Sequence, residues 1–258
     1  MSEYTLSQAT DPETERQRLA LLQQCFDPLS IPCLERTGIA AGWRCIDVGA
    51  GAGSISRWLA ERVGPAGSVL AVDLDLRLLE PHISPTLSVR RLDIRREELP
   101  ENVDLVHSRL LLEHLPEYEA VLHRMIRALR PGGWLVASDS DFRAVRLSAP
   151  DPAFDRVAAS FAAATRAAGW DMQLGPSLAP LFETAGLRDV ASESSQTYQR
   201  GGPRSVLLAS SYLRLRDLLT QHGATSSDIE YVAGRMASPA VGTYGPTIWT
   251  AWGRKSGE

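Results

Sequence analysis

Residues 44–54, Arg44-Cys45-Ile46-Asp47-Val48-Gly49-Ala50-Gly51-Ala52-Gly53-Ser54, decide how the rest of the chain is read. A short apolar run closes on an acidic residue, and three alternate glycines follow before an amphipathic stretch begins. Glycine has no Cβ, so the backbone there can turn sharply, lie against a ligand and expose the N–H groups of a helix start. The spacing is G-x-G-x-G, and Ser54 stands where a dinucleotide fingerprint has its third glycine. Asp47 ahead of the loop would repel a pyrophosphate and suit a cationic amino-acid group. Dinucleotide folds and simple tight turns also use glycine loops, so the neighbouring elements must decide.

Outward from the loop, residues 54–63 place Ile55, Leu59 and Val63 on one helical face beside Trp58, and Gly64-Pro65 ends the helix. Short apolar runs at Ser68–Val72, Leu87–Leu92, Val103–His107 and Trp134–Ser138 read as further strands. A helix over 117–130 precedes the last of these, halted by Pro131-Gly132-Gly133. Strands separated by helical segments imply right-handed crossovers and a parallel sheet. On the amino side the periodicity predicts one helix over 12–24 and a second from Pro28 to Thr37. Beyond strand five it predicts helices over 152–168, 177–185 and 203–220, with strands at Val190–Tyr198 and Thr247–Trp252. The expected class is α/β, a doubly wound, mostly parallel seven-stranded sheet. One domain would span 1–258, with a helical cap over 1–40 and a helical insertion over 142–186 on the substrate side.

Composition removes several chemistries. The chain of 258 residues holds 26 Arg and a single lysine, Lys255. Schiff-base cofactor enzymes and P-loop nucleotide hydrolases need a lysine inside their sites. Three cysteines without a C-x-x-C pair imply neither a disulfide framework nor zinc, and the five histidines lack metal spacing, so no metal is expected. A net charge of −4 argues against nucleic acid as a partner. No apolar run approaches the roughly 18 residues of a spanning helix, so no membrane is expected either. The polar, acidic start lacks the pattern of a signal peptide, which makes the expected location cytoplasmic.

Two further acidic residues end strands. Asp73 lies 20 positions after Gly53, where a carboxylate accepts hydrogen bonds from both hydroxyls of a ribose. Asp93, after strand three, is placed for an adenine edge. Together with residues 104–116 (DLVHSRLLLEHLP), these lie at carboxyl ends of strands, the ligand side of open α/β sheets.

Taken together, CIDVGAGAGSISRWLAERVGP, VLAVDLD, LDI, DLVHSRLLLEHLP and LRPGGWLVASD resemble a class I S-adenosylmethionine-dependent methyltransferase. The resemblance is dense over about residues 44–140 and is nearest to bacterial small-molecule enzymes of natural-product pathways. It implies a Rossmann-like methyltransferase fold, S-adenosyl-L-methionine as cofactor and S-adenosyl-L-homocysteine as product. By that resemblance Asp47 would meet the methionine amino group, and Gly49, Ala50 and Gly51 would lie under the cofactor. Asp73 would hold the ribose with Leu74 against the adenine, and Asp93 would take the adenine amino group beside Ile94. Ser108 would face the methionine portion through its main chain, and Arg109 would assist with its carboxylate.

The acceptor is left open by the sequence: a small molecule, with O, N or C receiving the methyl group. His114 in LLEHLP is the first candidate for a general base, and it could equally cap or pack the loop. Asp139 is a second candidate; it and Asp141 either face the substrate or end the strand. His107 reads as a core or strand-end residue. Tyr4 would belong to a flap, and Trp170 and Met172 are pocket candidates, whereas Phe154 and Phe161 share a helical-face spacing that suits a core. A methyltransferase-like cyclase or lyase, or a non-catalytic binding subunit, would retain the same loop. A homodimer is compatible with the sequence.

Overall fold

The computed structural model describes residues 11–257. Among the described residues ten strands occur in chain order: β1 (Arg44–Val48), β2 (Ser68–Asp73), β3 (Leu87–Arg91), β4 (Val103–Arg109), β5 (Leu129–Asp141), β6 (Arg146–Leu147), β7 (Leu187–Ser195), β8 (Tyr198–Arg200), β9 (Gly242–Tyr244) and β10 (Thr247–Lys255). Seven form one sheet in the order β3-β2-β1-β4-β5-β10-β7. The first five of these are parallel, and β10 runs antiparallel to both of its neighbours. The order reverses direction beside β1, which opens a crevice outside the carboxyl ends of β1 and β4. A small antiparallel sheet, β6-β9-β8, stands apart. The α/β class and the seven-stranded, mostly parallel sheet agree with the sequence expectation.

The helices are α1 (Pro12–Glu35), α2 (Ser54–Val63), α3 (Tyr118–Ala128), α4 (Pro152–Ala167), α5 (Leu178–Thr184), α6 (Pro203–Arg214), α7 (Arg216–Gln221) and α8 (Ser226–Ala237). Successive residues of a strand point to opposite faces, and here both faces are covered. Ile46, Val48 and Val106 pack with Val121, Leu122 and Met125 of α3 and with Leu178 and Phe182 of α5. Cys45, Val69 and Leu105 pack on the other face with Leu34 of α1 and Ile55, Leu59 and Val63 of α2. The apolar face read from residues 54–63 is therefore the one that docks.

Several elements differ from the periodicity. Pro12–Glu35 forms one helix rather than two, running through Pro28 and Pro32. A proline inside a helix forfeits a hydrogen bond to the carbonyl four residues back. Here Gln24, Pro28 and Pro32 are all exposed, so water can serve those carbonyls, while Cys25, Phe26, Cys33 and Leu34 are buried and anchor the helix on either side of the prolines. Strand β5 begins at Leu129 instead of Trp134 because a shift in register opposite Val103 and Leu105, with Gly132 at φ 76°, absorbs the Pro-Gly-Gly stretch. The helix expected over 203–220 breaks at Leu215, and α8 was not anticipated.

A helical layer covers the carboxyl end of the sheet. Phe154, Val157 and Phe161 of α4 share a core with Tyr212 of α6 and Ile229 and Val232 of α8. The layer thus draws on two stretches of chain, one before β7 and one after it. Helix α5, within the 142–186 stretch read as an insertion, instead packs on the sheet. Among the described residues, no helix is long and apolar enough to cross a membrane.

Candidate active site

A cavity of about 490 Å³ opens between the carboxyl ends of β1 to β5 and the helical layer. Its floor is the glycine loop. Gly49 and Gly51 have φ of 70° and 59°, a left-handed backbone that side-chain-bearing residues rarely adopt. A Cβ added at Gly49 would lie 3.2 Å from Leu111, so the bare backbone is also what lets the next loop approach. The loop is tied down from the next strand: Gly51 N–H donates to the Asp73 carboxylate at 2.8 Å. Burial pushes the Asp73 carboxyl up from its ordinary value, and the amides of Asp75, Gly51 and Leu74 offset only part of that. A half-buried acceptor on a cavity wall with spare lone pairs fits the hydroxyls of a ribose.

Asp93 is held differently. Arg95 spans its carboxylate with two bonds of 2.8 Å, and this pairing keeps the carboxyl below its usual range. Leu74 and Ile94 line the cavity between these two acids. An adenine ring has apolar faces and a polar edge, and this stretch of wall offers both.

Asp47 is buried at the end of β1. It stands directly across from His107 on β4, and the His107 Nδ1 lies 2.8 Å from its carboxylate. Ser56 Oγ–H donates to the same carboxylate at 2.5 Å. Burial works to raise the Asp47 carboxyl, but the His107 ring and the Ser56 hydroxyl outweigh it and leave it lowered. His107 therefore does more than pack: its ring lines the cavity, and among the described residues its buried Nε2 has no hydrogen-bond partner. A buried ring nitrogen left open at the glycine loop is consistent with a polar ligand group there. The pairing depends on the β1–β4 register, which no local pattern in the sequence encodes.

Arg109 donates to Asp27 at 2.8 Å and to Ser30 at 3.2 Å, both on α1, and reaches the cavity wall from there. The chain then turns through Leu110 at φ 50°. A leucine in the left-handed region costs on the order of 1–2 kcal/mol, and such strain gathers at functional loops. The turn brings Leu111 and His114 to the cavity.

His114 stacks edge-on against Trp170, with ring centroids 5.2 Å apart. Its Nε2 lies 3.5 Å from the buried Glu113 carboxylate, which in turn accepts from Ser140 N–H at 2.7 Å and from the Ser140 hydroxyl. Glu113 was not singled out from the sequence, although its place beside His114 in LLEHLP was the available signal. Asp139 does not reach the cavity. It is fully buried behind the wall and accepts a bond from Glu113 N–H at 3.3 Å. Burial, then the neighbouring Glu113 charge, hold its carboxyl well above the ordinary value. The reading of Asp139 as a base facing the substrate is corrected accordingly. The Ser108 side chain is buried and also off the wall.

Trp170 and Met172 both line the cavity, together with Phe142 and Phe161. Phe161 serves core and wall at once, stacking on Phe142 at 4.8 Å. Tyr4 lies outside the described residues. Among the described residues no cluster of His, Cys, Asp and Glu could hold a metal ion.

Residues 46–137 match a family model described as a methyltransferase domain. The chain is 29% identical over 148 residues to Methyltransferase str2 of Strobilurus tenacellus, covering 55% of this chain and 52% of that protein. It spans about half the length of the curated relatives it matches. Among solved structures, a Bacillus halodurans methyltransferase fold aligns with a TM-score of 0.58 at 15% identity, over 89% of this chain and 99% of that one. A Haemonchus contortus phosphoethanolamine N-methyltransferase, solved with phosphomonomethylethanolamine and S-adenosylhomocysteine, aligns with a TM-score of 0.54 at 18% identity. It covers 93% of this chain and 52% of that one. The glycine loop, the strand-end acids and the sheet order agree with that match: residues 46–137 resemble a methyltransferase domain, and the chain has the Rossmann-like fold of class I S-adenosylmethionine-dependent methyltransferases.

Proposed function

We propose that this protein transfers a methyl group from S-adenosyl-L-methionine to an O, N or C atom of a small molecule with an aromatic or apolar body, a natural-product intermediate in type. One observation carries the reading: a single cavity joins the glycine loop, Asp73 and Asp93 to an aromatic wall that bears His114. The cofactor, when bound, supplies an already activated methyl group on a positively charged sulfur. The chain's own task is then to align donor and acceptor and to exclude water, worth up to about 7–11 kcal/mol in the best model systems.

Asp73 would hold the ribose and Asp93 the adenine edge, with Leu74 and Ile94 against the ring faces. Asp47, already engaged by His107 and Ser56, would act on the methionine end mainly by fixing the His107 ring. Trp170, Met172, Phe142 and Phe161 would enclose the acceptor and keep water out. His114 would remove a proton from an acceptor hydroxyl or ring N–H, and Glu113 is the group that positions it. Isothermal titration with S-adenosylhomocysteine tests the first half of this reading. Formation of S-adenosylhomocysteine during turnover of an acceptor panel tests the second. Binding without that product would favour a cyclase or lyase on the same fold, and no binding at all would overturn the proposal.

A further inference from the structure

The cavity wall formed by α6 holds a guanidinium that no carboxylate meets among the described residues. Arg204, in the first turn of α6, lines the cavity and lies 5.5 Å from the centroid of the Phe26 ring. Its Nη2 donates to the Cys25 carbonyl at 2.7 Å, and its Nη1 donates to the Thr197 hydroxyl. Both acceptors are neutral. Of the four other arginines that line the cavity, three are each held by a carboxylate: Arg18 by Glu15, Arg95 by Asp93 and Arg109 by Asp27. Among the described residues Arg204 has no such partner. Burial lowers its affinity for its own proton.

A half-buried cation beside a cavity is costly unless an anion meets it. Arg204 keeps N–H donors beyond the two it spends on Cys25 and Thr197, in a planar fork that matches a carboxylate. Its place in the fold says which ligand supplies the anion. Cys25, Phe26 and Leu207 pack with Ile248 of β10, next to β5, whereas Asp73 and Asp93 lie at β2 and β3 on the far side of β1.

We propose that Arg204 is a specificity-determining residue that selects an acceptor carrying a negative group, a carboxylate or its like, on an otherwise aromatic body. This rests on the methyltransferase reading, which gives the β1–β3 side to the cofactor. The methionine carboxylate of the cofactor has the same chemistry, and the experiment separates the two sources.

The probes are 2-naphthoate and 2-naphthamide, which share a ring system and differ in charge, titrated calorimetrically into protein saturated with S-adenosylhomocysteine. The wild type binds the naphthoate more tightly, and Arg204→Gln weakens naphthoate by roughly tenfold or more while leaving naphthamide and S-adenosylhomocysteine unchanged. Arg204→Lys keeps part of the preference, because charge remains while the fork is lost. Equal affinity for the two probes in the wild type, or no measurable naphthoate binding, overturns the proposal. So does an equal loss of both probes in Arg204→Gln, which would make the residue structural. A matching loss of S-adenosylhomocysteine affinity overturns it too, since the cofactor's carboxylate would then be the anion. If the wild type fails to bind S-adenosylhomocysteine, the methyltransferase reading falls instead, and the probe pair measured without it still decides the charge preference.

Discussion

At the scale of single residues, the carboxylates of the cavity divide by what already occupies them. Asp73 is half-buried with only backbone donors on it, so a ligand hydroxyl can complete its shell. Asp73→Ala should weaken S-adenosylhomocysteine by about 5- to 150-fold in titration calorimetry, the range for an unsatisfied buried group of roughly 1–3 kcal/mol. An unchanged affinity would remove Asp73 from the ribose. His114→Gln should lower turnover by about 10²- to 10⁴-fold with cofactor affinity intact, and the limb of the pH–rate profile that reports the base should vanish with it. A variant with full turnover and an unaltered profile would return His114 to a packing role.

Asp139 gives a prediction of opposite sign. Its raised carboxyl keeps its proton in the folded protein at pH values where the unfolded chain has released it, so folding loses stability as pH climbs through that window. Asp139→Asn has no proton to release and retains the oxygen that accepts from Glu113 N–H. Its urea midpoint should therefore exceed that of the wild type at neutral pH, with the gap shrinking toward about pH 4. A variant less stable than wild type at every pH would refute this account. The acids were legible in the sequence because strand ends are local features. Which of them faces the cavity was not, since that depends on pairing between distant strands.

Elements carry the next scale. Helix α4 begins at Asp151, whose carboxylate accepts from Ala153 and Phe154 N–H at 3.1 and 3.2 Å and lies 3.6 Å from Arg235 of α8. One side chain thus caps a helix and ties it to another across the layer. Asp151→Ala should cost about 0.5–2 kcal/mol in denaturant unfolding, whereas Asp151→Asn keeps the cap and should recover most of it. Equal losses in the two variants would place the effect in the Arg235 contact instead. Elements of the sheet were read within a few residues because their apolar runs are bounded by Gly, Pro and Asp. The helical layer was read less well. Its helices are amphipathic towards one another, so a periodic pattern announces a helix without saying which neighbour it covers, and α8 was passed over entirely. Proline misled in α1 because exposure, which only the fold decides, sets the cost of the missing bonds.

For the whole molecule, the cavity wall is built from parts that meet only around it: the glycine loop and strand ends below, α1 and α6 above. A ligand that touches all of them should tighten the sheet and the helical layer as one body. Stabilisation by a ligand that binds only the folded state grows as RT ln(1 + [L]/Kd), about 2.7 kcal/mol at a hundredfold excess over Kd. For a chain of this size that amounts to roughly 5–10 °C in Tm. S-adenosylhomocysteine should therefore raise Tm by that order in differential scanning fluorimetry, and amide hydrogen exchange should slow in α1 and α6 as well as in the glycine loop. In Asp73→Ala the same Tm gain should need a higher ligand concentration, in proportion to the lost affinity. Protection confined to the loop, with α1 and α6 exchanging as before, would mean that the ligand binds the sheet alone and that the helical layer closes only over the acceptor.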